Sequence, residues 1–541
     1  MTSIRDLAAS WPLRRPIGQE MILRTSVILA GLIFLGLSIW WYAVDTRMPN
    51  GDNGKHLNIA FQYYDGIRYG APLAPFTDWT QYPPLLHIVG VIGIAAAGVG
   101  VTQAGIAMNL VFVPMLVLGC YGAGSVAFDR RVGVLAAVFA LACPMIMSLF
   151  HVFMLDAPTA ALSAMSVWLL LASDRFRRPG VVLAAGVFVA LGFYAKGTFV
   201  LFVAGLLLVL VVRGGWRQWK NVTLFGIIVA ALVLPWYVAH YHELTGLTSG
   251  ATKGAQPVNW YGSIPYPDQW TFANFTWYFW NLINNQVYLP LAVFFFVGLL
   301  AALIAMAREL FAKTTAPADP ARPTRYLPEL MAGGLVGYLG ISYINLDDPR
   351  YTLPCLVYVA LIGTWWIVQI RRRWQPVAAL GIAAIFAVNT VTQNFAVGGA
   401  VRITTSKSVA SPIGEYSATV ISPAGYIEGA PLRDGLRPSM LDLLRKAHAD
   451  GADRVIFQPE TLNVGGTNLF ALAIVARMAD LAVPGFAVDL VGPTDVFVFR
   501  ASPDRVKKRP CIDAKAGDGT GIYMTKGPPT ADNPLYCPPE S

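Results

Sequence analysis

The sequence predicts an all-α polytopic membrane bundle of about eleven transmembrane helices, with a large first outer loop and a small C-terminal α/β extracytoplasmic domain. Three observations support this fold class. Hydrophobic residues make up 55% of the 541-residue chain and charged residues only 13%, whereas a soluble domain carries about 25% charged residues. The mean hydropathy is +0.52. Apolar runs long enough to cross ~30 Å of hydrocarbon recur as far as residue 395 and then stop.

The first apolar run, 22–45, is too long for the core of a signal peptide and has no small-residue cleavage site after it. We therefore expect it to remain as a membrane anchor. Further spans follow, and the total is odd, so the two ends of the chain are expected on opposite sides of the membrane. These further spans are 103–127, 133–152, 157–173, 180–195, 198–212, 221–240, 286–306, 328–345, 352–370 and 376–395.

Basic residues cluster in the short gaps between these runs. The positive-inside rule places such clusters in the cytoplasm. A multi-pass protein of the plasma or inner membrane is expected, with its N-terminus cytoplasmic and its C-terminus extracytoplasmic. The net charge of +9 is interpreted in this way rather than as a nucleic-acid surface. The clusters are Arg14–Arg15, Arg130–Arg131, 174–178, 213–220 and 371–374.

Two long outer loops, 46–84 and 241–285, separate spans at the outer side. The second is rich in Trp, Tyr, Pro and Gly, which suits either a carbohydrate-facing surface at headgroup level or an ordinary aromatic belt. The apolar segment 83–99 is interpreted as re-entrant or interfacial, because one more crossing would place Arg130 and Arg131 outside.

The polar tail forms a separate predicted domain. Residues 1–395 are assigned to the transmembrane domain and 396–541 to the extracytoplasmic α/β domain, because no spanning run follows residue 395. The tail contains no nucleophile elbow, P-loop or dinucleotide-binding motif. Its hydrophobic patterns predict strands at 454–458 and 495–501 and amphipathic helices at 439–451 and 468–481.

The five cysteines divide by location. Cys120, Cys143 and Cys355 lie in apolar runs and are interpreted as core residues. Cys511 and Cys537 lie in the tail, where they form either a disulfide, which we favour, or two unpaired thiols. No spacing of Cys and His resembles a zinc site, and we expect neither a metal nor a cofactor.

Charged residues that are distant in sequence collect at the outer side of this topology. They are Asp52 in the first outer loop, Asp156 and Lys196 at two turns, and Asp347, Asp348 and Arg350 at another. Each has an ordinary alternative: Asp156 as a helix N-cap before Pro158, Lys196 as a snorkelling lysine, and Arg350 as the partner of Asp347 or Asp348 alone. An ionised Asp at mid-bilayer costs at least ~2.5–3.5 kcal/mol on insertion scales, so membrane proteins rarely keep one without a reason. The gathering of these charged residues at one face therefore favours a functional site.

The order of these residues carries a family resemblance. An apolar first helix precedes Asp52, and then come "QYPPL" (81–85), "LDAP" (155–158), "AKG" (195–197), "LPW" (234–236) and "RYTLP" (350–354). Over residues 20–395 the chain resembles the GT-C membrane glycosyltransferases, in particular the protein O-mannosyltransferase and lipid A aminoarabinose transferase group. The resemblance implies a helical bundle with a cavity at the outer leaflet. It also implies transfer of a sugar from a polyprenyl phosphate carrier with inversion at the anomeric carbon.

The resemblance also implies roles for individual residues. Asp52 and Asp156 match the two acidic catalytic positions. We expect Asp52 to be the base and Asp156 its partner, because the glycines on both sides in "NGDNG" let a loop present the Asp52 carboxylate without a helix. The alternative for Asp52 is an Asx-turn in a flexible loop. Lys196, Arg350 and Tyr351 match positions that face the carrier phosphate. The chain departs from the family in two places: Asn53 stands where a Glu is usual, and Tyr82 where the aminoarabinose transferases carry a Lys. Phosphate binding is therefore expected at Lys55, Lys196 or Arg350, with Tyr82, His151 and Asp348 as further cavity candidates.

The chemistry of these residue types fits such a reaction. Expulsion of the phosphate needs fixed positive charge, which Lys and Arg supply without a metal, and the acceptor hydroxyl needs a carboxylate to take its proton. The partners expected are a polyprenyl-phosphate-linked sugar, a glycan, glycolipid or protein acceptor, and the lipid bilayer. A lipid-linked sugar transporter or flippase is the alternative function, and a scaffolding protein with an outer recognition domain is a third.

Overall fold

The computed structural model of the chain is mostly helical. It describes residues 17–47, 49, 51–77, 82–97, 102–242, 271–311, 324–344, 348–404, 417–423 and 430–431, together with strands at 454–457, 487–489, 496–500, 512–516 and 522–526.

The helices of the first half include long apolar segments and shorter connecting ones. A 3-10 turn, Met108–Val111, joins the fifth and sixth helices into one continuous segment. In chain order the helices are α1 (Ile17–Val44), α2 (Gly51–Arg68), α3 (Ala74–Thr77), α4 (Leu85–Ala97), α5 (Thr102–Ala107), α6 (Phe112–Ala127), α7 (Arg130–Ala142), α8 (Pro144–Phe150), α9 (Asp156–Ala172), α10 (Pro179–Ala195) and α11 (Phe199–Val212).

The second half continues after a 3-10 turn at Gly215–Gln218. A π-helical turn, Leu282–Gln286, follows α13, and 3-10 turns occupy Pro349–Cys355 and Trp366–Val368 on either side of α16. The helices are α12 (Trp219–Ala239), α13 (Phe272–Asn281), α14 (Tyr288–Phe311), α15 (Leu327–Ile344), α16 (Leu356–Trp365) and α17 (Gln375–Phe395).

Every predicted span coincides with helical structure. Seven helical segments of the described chain are long and apolar enough to cross a membrane, and α7 with α8, which are bent by 65° at the break between Ala142 and Pro144, make an eighth if the pair is one span. The remaining predicted spans are the shorter apolar helices α9, α10 and α11. The membrane-bundle fold class is thus confirmed, and the exact number of crossings stays a prediction.

Close helix packing depends on small residues, as is usual between membrane helices. A Cβ atom on Gly119 of α6 would lie 2.4 Å from the backbone of Ala164 in α9, and one on Gly298 of α14 only 1.9 Å from the carbonyl oxygen of Ile362 in α16. Helices α6, α7, α9 and α16 supply much of the buried apolar core. This packed core positions Asp156, the first residue of α9.

The first outer loop is more ordered than the sequence analysis expected. Residues 51–68 form α2, whose buried face includes Leu57, Ala60 and Phe61. This face packs against α4, which covers the segment interpreted as re-entrant. At ~1.5 Å per residue, the 13 residues of α4 reach about 20 Å, less than the ~30 Å of a hydrocarbon core.

The described part of the tail is made of strands. An antiparallel hairpin pairs β1 (Val401–Thr404) with β2 (Ser417–Ile421), and Thr404 lies opposite Ser417. A separate five-stranded sheet has the order β4-β3-β5-β7-β6, in which β3 is parallel to β4 and β5. β3 and β5 coincide with the two predicted strands, whereas the predicted helices lie outside the described residues. The other strands are β3 (Arg454–Phe457), β4 (Ala487–Asp489), β5 (Val496–Arg500), β6 (Ile512–Ala516) and β7 (Ile522–Lys526).

Candidate active site

Arg350 is the centre of an ionic cluster that joins distant parts of the chain. It lies in the 3-10 turn Pro349–Cys355 and is only 9% exposed. Its Nη2 is 2.5 Å from Oδ2 of Asp52, and its Nε is 2.9 Å from Oδ2 of Asp348 and 4.0 Å from Oδ2 of Asp156. Burial of a guanidinium is costly unless opposite charges compensate it. The three carboxylates provide that compensation.

Lys196 forms the second ion pair of this cluster. It follows the last residue of α10, and its Nζ lies 2.6 Å from Oδ1 of Asp156. The same ammonium group lies 4.1 Å from the centre of the Tyr351 ring, within range of a cation–π contact. Asp156 therefore faces both Lys196 and Arg350, and the aromatic ring of Tyr351 covers the two cations from one side.

Local structure explains how the carboxylates are held. Asp348 caps the 3-10 turn, since its Oδ1 accepts a hydrogen bond from the backbone N–H of Arg350 at 3.1 Å. Asp156 is the first residue of α9, and Leu155, not Asp156, is the N-cap. The alternative of Asp156 as a helix cap is therefore wrong, and its side chain is committed to the ion pairs.

The expectation that a loop presents Asp52 without a helix is also wrong. Asp52 lies in the first turn of α2, directly after Gly51, whose φ of 51° is in the left-handed region that glycine adopts easily. Asn53, the departure from the family pattern, is buried, and its Oδ1 accepts a hydrogen bond from the backbone N–H of Phe153 at 2.8 Å. This bond ties the start of α2 to the segment that leads into Asp156.

A second group of polar residues lies beside the ionic cluster, between α2 and the start of α4. Lys55 Nζ donates a hydrogen bond to the hydroxyl of Tyr82 at 3.1 Å. The buried rings of His56 and His87 meet at 3.1 Å between Nδ1 and Nε2. Sequence reasoning missed this histidine pair, because its members are 31 residues apart and lie in different helices.

Burial lowers the pKa of His56 well below its ordinary value, and the neighbouring groups lower it further. The positive charge near this site therefore comes from lysine and arginine, and His56 stays neutral near pH 7. The groups that act on His56 are His87, Arg350, Lys55 and Lys196.

The lowered pKa of His56 predicts a loss of stability in acid. The unfolded chain takes up a proton at its ordinary pKa of about 6.5, whereas folded His56 does not. Stability should fall as the pH drops below that value, by up to about 1.4 kcal/mol per pH unit for this group. The thermal unfolding midpoint of His56→Gln should therefore change less between pH 7.5 and pH 5.5 than that of the wild type. His242→Gln, at an exposed histidine, is the control and should keep the wild-type pH dependence. If His56→Gln also keeps the wild-type pH dependence, the assignment of the acid sensitivity to His56 is wrong.

The remaining candidate residues lie outside the ionic cluster or outside the described residues. His151 stacks on Trp41 of α1, with ring centroids 4.4 Å apart, and borders a cavity with Asp45, Arg47 and Asn53. It belongs to the packing around α1 rather than to the ionic cluster. Asp347, Cys511 and Cys537 lie outside the described residues, so the disulfide stays a prediction. Among the residues that are described, no group of three or more His, Cys, Asp or Glu could hold a metal ion.

The chain is similar to known proteins in part of its sequence and in its fold. Residues 82–239 match the family model of the dolichyl-phosphate-mannose-protein mannosyltransferases. The fold is similar to the crystal structure of ArnT from Cupriavidus metallidurans in the apo state, with a TM-score of 0.54 and 14% identity over 94% of this chain and 98% of that one. The chain therefore has the same fold as this ArnT.

The structure of the same ArnT bound to undecaprenyl phosphate is equally similar, with a TM-score of 0.54 and 13% identity over 95% of this chain and 98% of that one. No curated protein sequence matches the chain. The GT-C resemblance predicted from the sequence is confirmed, and the structural likeness extends beyond residues 20–395 to nearly the whole chain. At this low identity, the likeness of the solved structures concerns the fold.

Proposed function

We propose that this protein transfers a sugar from a polyprenyl phosphate carrier to an acceptor hydroxyl at the extracytoplasmic face of the membrane, with inversion at the anomeric carbon. The observation that carries this proposal is the ionic cluster around Arg350, in which Asp52, Asp156 and Asp348 come together at the starts of three helical segments. The ArnT fold, which is known with undecaprenyl phosphate bound, supports the class of donor.

In the proposed reaction, the acceptor oxygen attacks the anomeric carbon from the side opposite to the carrier phosphate. A new carbon–oxygen bond forms while the bond from the anomeric carbon to the phosphate oxygen breaks, and the electron pair of that bond stays on the phosphate. The acceptor proton passes to the carboxylate of Asp52. A single displacement of this kind inverts the anomeric configuration and needs one base.

Arg350 links the two charge changes of this step. As Asp52 takes the proton it becomes neutral, and at the same moment the departing phosphate gains one negative charge. Arg350 contacts Asp52 at 2.5 Å, so loss of the Asp52 charge lets its guanidinium attract the phosphate more strongly. Fixed charge of this kind stabilises a leaving anion without reorganisation of solvent.

Lys196 and Lys55 support the same phosphate from two sides. Lys196 is oriented by Asp156 and by the ring of Tyr351. Lys55 reaches Tyr82, the position at which the resembling aminoarabinose transferases carry a lysine. An ammonium group from α2 thus replaces the missing side chain at that position. The cytoplasmic N-terminus and extracytoplasmic tail predicted from the basic clusters place this site at the outer leaflet.

The proposal is tested with purified protein and a panel of labelled polyprenyl phosphate sugars that carry mannose, an arabinose-type pentose or a uronic acid, together with a membrane extract as the source of acceptor. We expect one member of the panel to yield polyprenyl phosphate and a labelled product. Vesicles that contain the protein allow transport of the intact donor to be measured as well. Movement of intact donor across the vesicle membrane, without cleavage of any member, would instead establish the transporter alternative.

A further inference from the structure

A π-helical turn connects the segment that carries Arg350 with the β1–β2 hairpin of the tail. The turn, Leu282–Gln286, lies between α13 and α14, and its last hydrogen bond runs from the N–H of Val287 to the carbonyl of Leu282 at 2.9 Å. The next residue, Tyr288, has a φ of 60°, which is uncommon for a residue with a side chain. Single π-turns of this kind occur frequently at functional sites.

The side chain of Gln286, at the end of this turn, holds the segment that carries Arg350. Gln286 is 1% exposed, and its Nε2 donates to the carbonyl oxygen of Pro349 at 2.5 Å and to Oγ1 of Thr352 at 2.6 Å. These two acceptors lie immediately before and two residues after Arg350. One amide group thus holds the backbone before Arg350 and the side chain of Thr352 after it.

Asn284, two residues earlier on the same turn, holds the C-terminal hairpin. Its Oδ1 accepts hydrogen bonds from the backbone N–H of Thr419 at 3.1 Å and from the Thr419 hydroxyl at 3.2 Å. Its Nδ2 donates to the carbonyl of Trp280 at 3.0 Å. Strand β2 is therefore attached to the π-turn through a buried threonine, since Thr419 is 1% exposed.

We infer that Gln286 is a positioning residue for Arg350, and that Asn284 couples this position to the docking of the β1–β2 hairpin. The inference rests on the proposed function, in which Arg350 receives the carrier phosphate. A displacement of the hairpin moves Asn284, and the short turn transmits the movement to Gln286. The guanidinium would then leave the geometry in which Nη2 contacts Asp52 and Nε contacts Asp348.

Affinity for a labelled polyprenyl phosphate, measured on the full-length protein, tests this inference. Gln286→Leu, which keeps the bulk but not the donor, should weaken affinity about 10-fold, as expected for a small misplacement of a charged group. Thr419→Val and Asn284→Leu should weaken it to a smaller extent. In an Arg350→Lys background, Gln286→Leu should have almost no further effect on affinity. Gln286 acts by positioning the guanidinium of Arg350, and that background lacks the guanidinium.

Asn274→Leu is the matched control. Asn274 is 0% exposed, and its Nδ2 donates to the carbonyl of Ser342 at 2.9 Å, so it joins α13 to α15 instead of to the Arg350 turn. Its removal should lower the thermal unfolding midpoint and leave carrier affinity unchanged.

Three results would contradict these statements, one against the role of Arg350 and two against the positioning role of Gln286. If Arg350→Lys and the wild type bind the carrier equally, the proposed function of Arg350 is wrong. If Arg350→Lys weakens binding but Gln286→Leu does not, or if Asn274→Leu weakens it as much as Gln286→Leu, the positioning role is wrong.

Discussion

Arg350→Ala should lower the rate of sugar transfer by about 10²–10³-fold, which is the effect of removing one well-placed electrostatic donor from a catalytic site. Arg350 contacts Asp52 and Asp348 directly and lies 4.0 Å from Asp156. Its loss removes the charge that attracts the departing phosphate, and it also leaves carboxylates that repel one another. The measurement is release of polyprenyl phosphate from the labelled donor under single-turnover conditions.

The stability of the variants must be separated from their chemistry. Removal of one partner from a buried ion pair costs about 3–5 kcal/mol, so Arg350→Ala can fail to fold. Arg350→Lys keeps a positive charge but loses the forked geometry that reaches two carboxylates at once. It should fold and still transfer sugar much more slowly than the wild type. Arg372→Ala, at an exposed arginine in the turn before α17, is the control; equal rates for the Arg350 and Arg372 variants would contradict the assignment.

Hydropathy alone predicted most of the fold. Spans such as α1, α14 and α17 must bury their backbone in hydrocarbon as helices, so a long apolar run leaves little choice of structure. Helix α2 was missed because its sequence, "GDNGKHLNIAFQYYDGIR", mixes polar and aromatic residues. Its buried residues Leu57, Ala60 and Phe61 do follow helical spacing, and that spacing was the signal available.

The ionic cluster could be predicted in composition but not in pairing. Positive-inside topology brought Asp52, Asp156, Lys196 and Arg350 to one face, and the structure brings them into contact. The pairing of Asp52 with Arg350 spans 298 residues and depends on how the helices pack, which no local pattern records. Gln286 was missed for a different reason, because a single neutral amide at the first residue of a predicted span is not distinguished by charge or hydropathy.

Exposure distinguishes the two carboxylates that the sequence proposed as the catalytic pair. The Asp52 side chain is 43% exposed, whereas that of Asp156 is 5% exposed and is held by Lys196 at 2.6 Å. A general base must reach the proton of an incoming hydroxyl, and an accessible carboxylate can do so. Asp156 is suited to orienting Lys196 and Arg350. The Asp52→Asn substitution therefore tests the base most directly.

Asp52→Asn should reduce sugar transfer by about 10²–10⁴-fold, the usual contribution of a general base. It should bind the carrier at least as well as the wild type, because a neutral side chain competes less with the phosphate for Arg350. The asparagine keeps the shape of the side chain and an oxygen that accepts a hydrogen bond from Arg350, but it cannot take the acceptor proton. The measurements are single-turnover transfer and affinity for a labelled polyprenyl phosphate. Asp65→Asn, on the same helix and about 20 Å away at ~1.5 Å per residue, should change neither. If Asp52→Asn transfers sugar at close to the wild-type rate, the acceptor proton leaves by another route. If its carrier affinity falls in step with transfer, Asp52 belongs to the phosphate site instead.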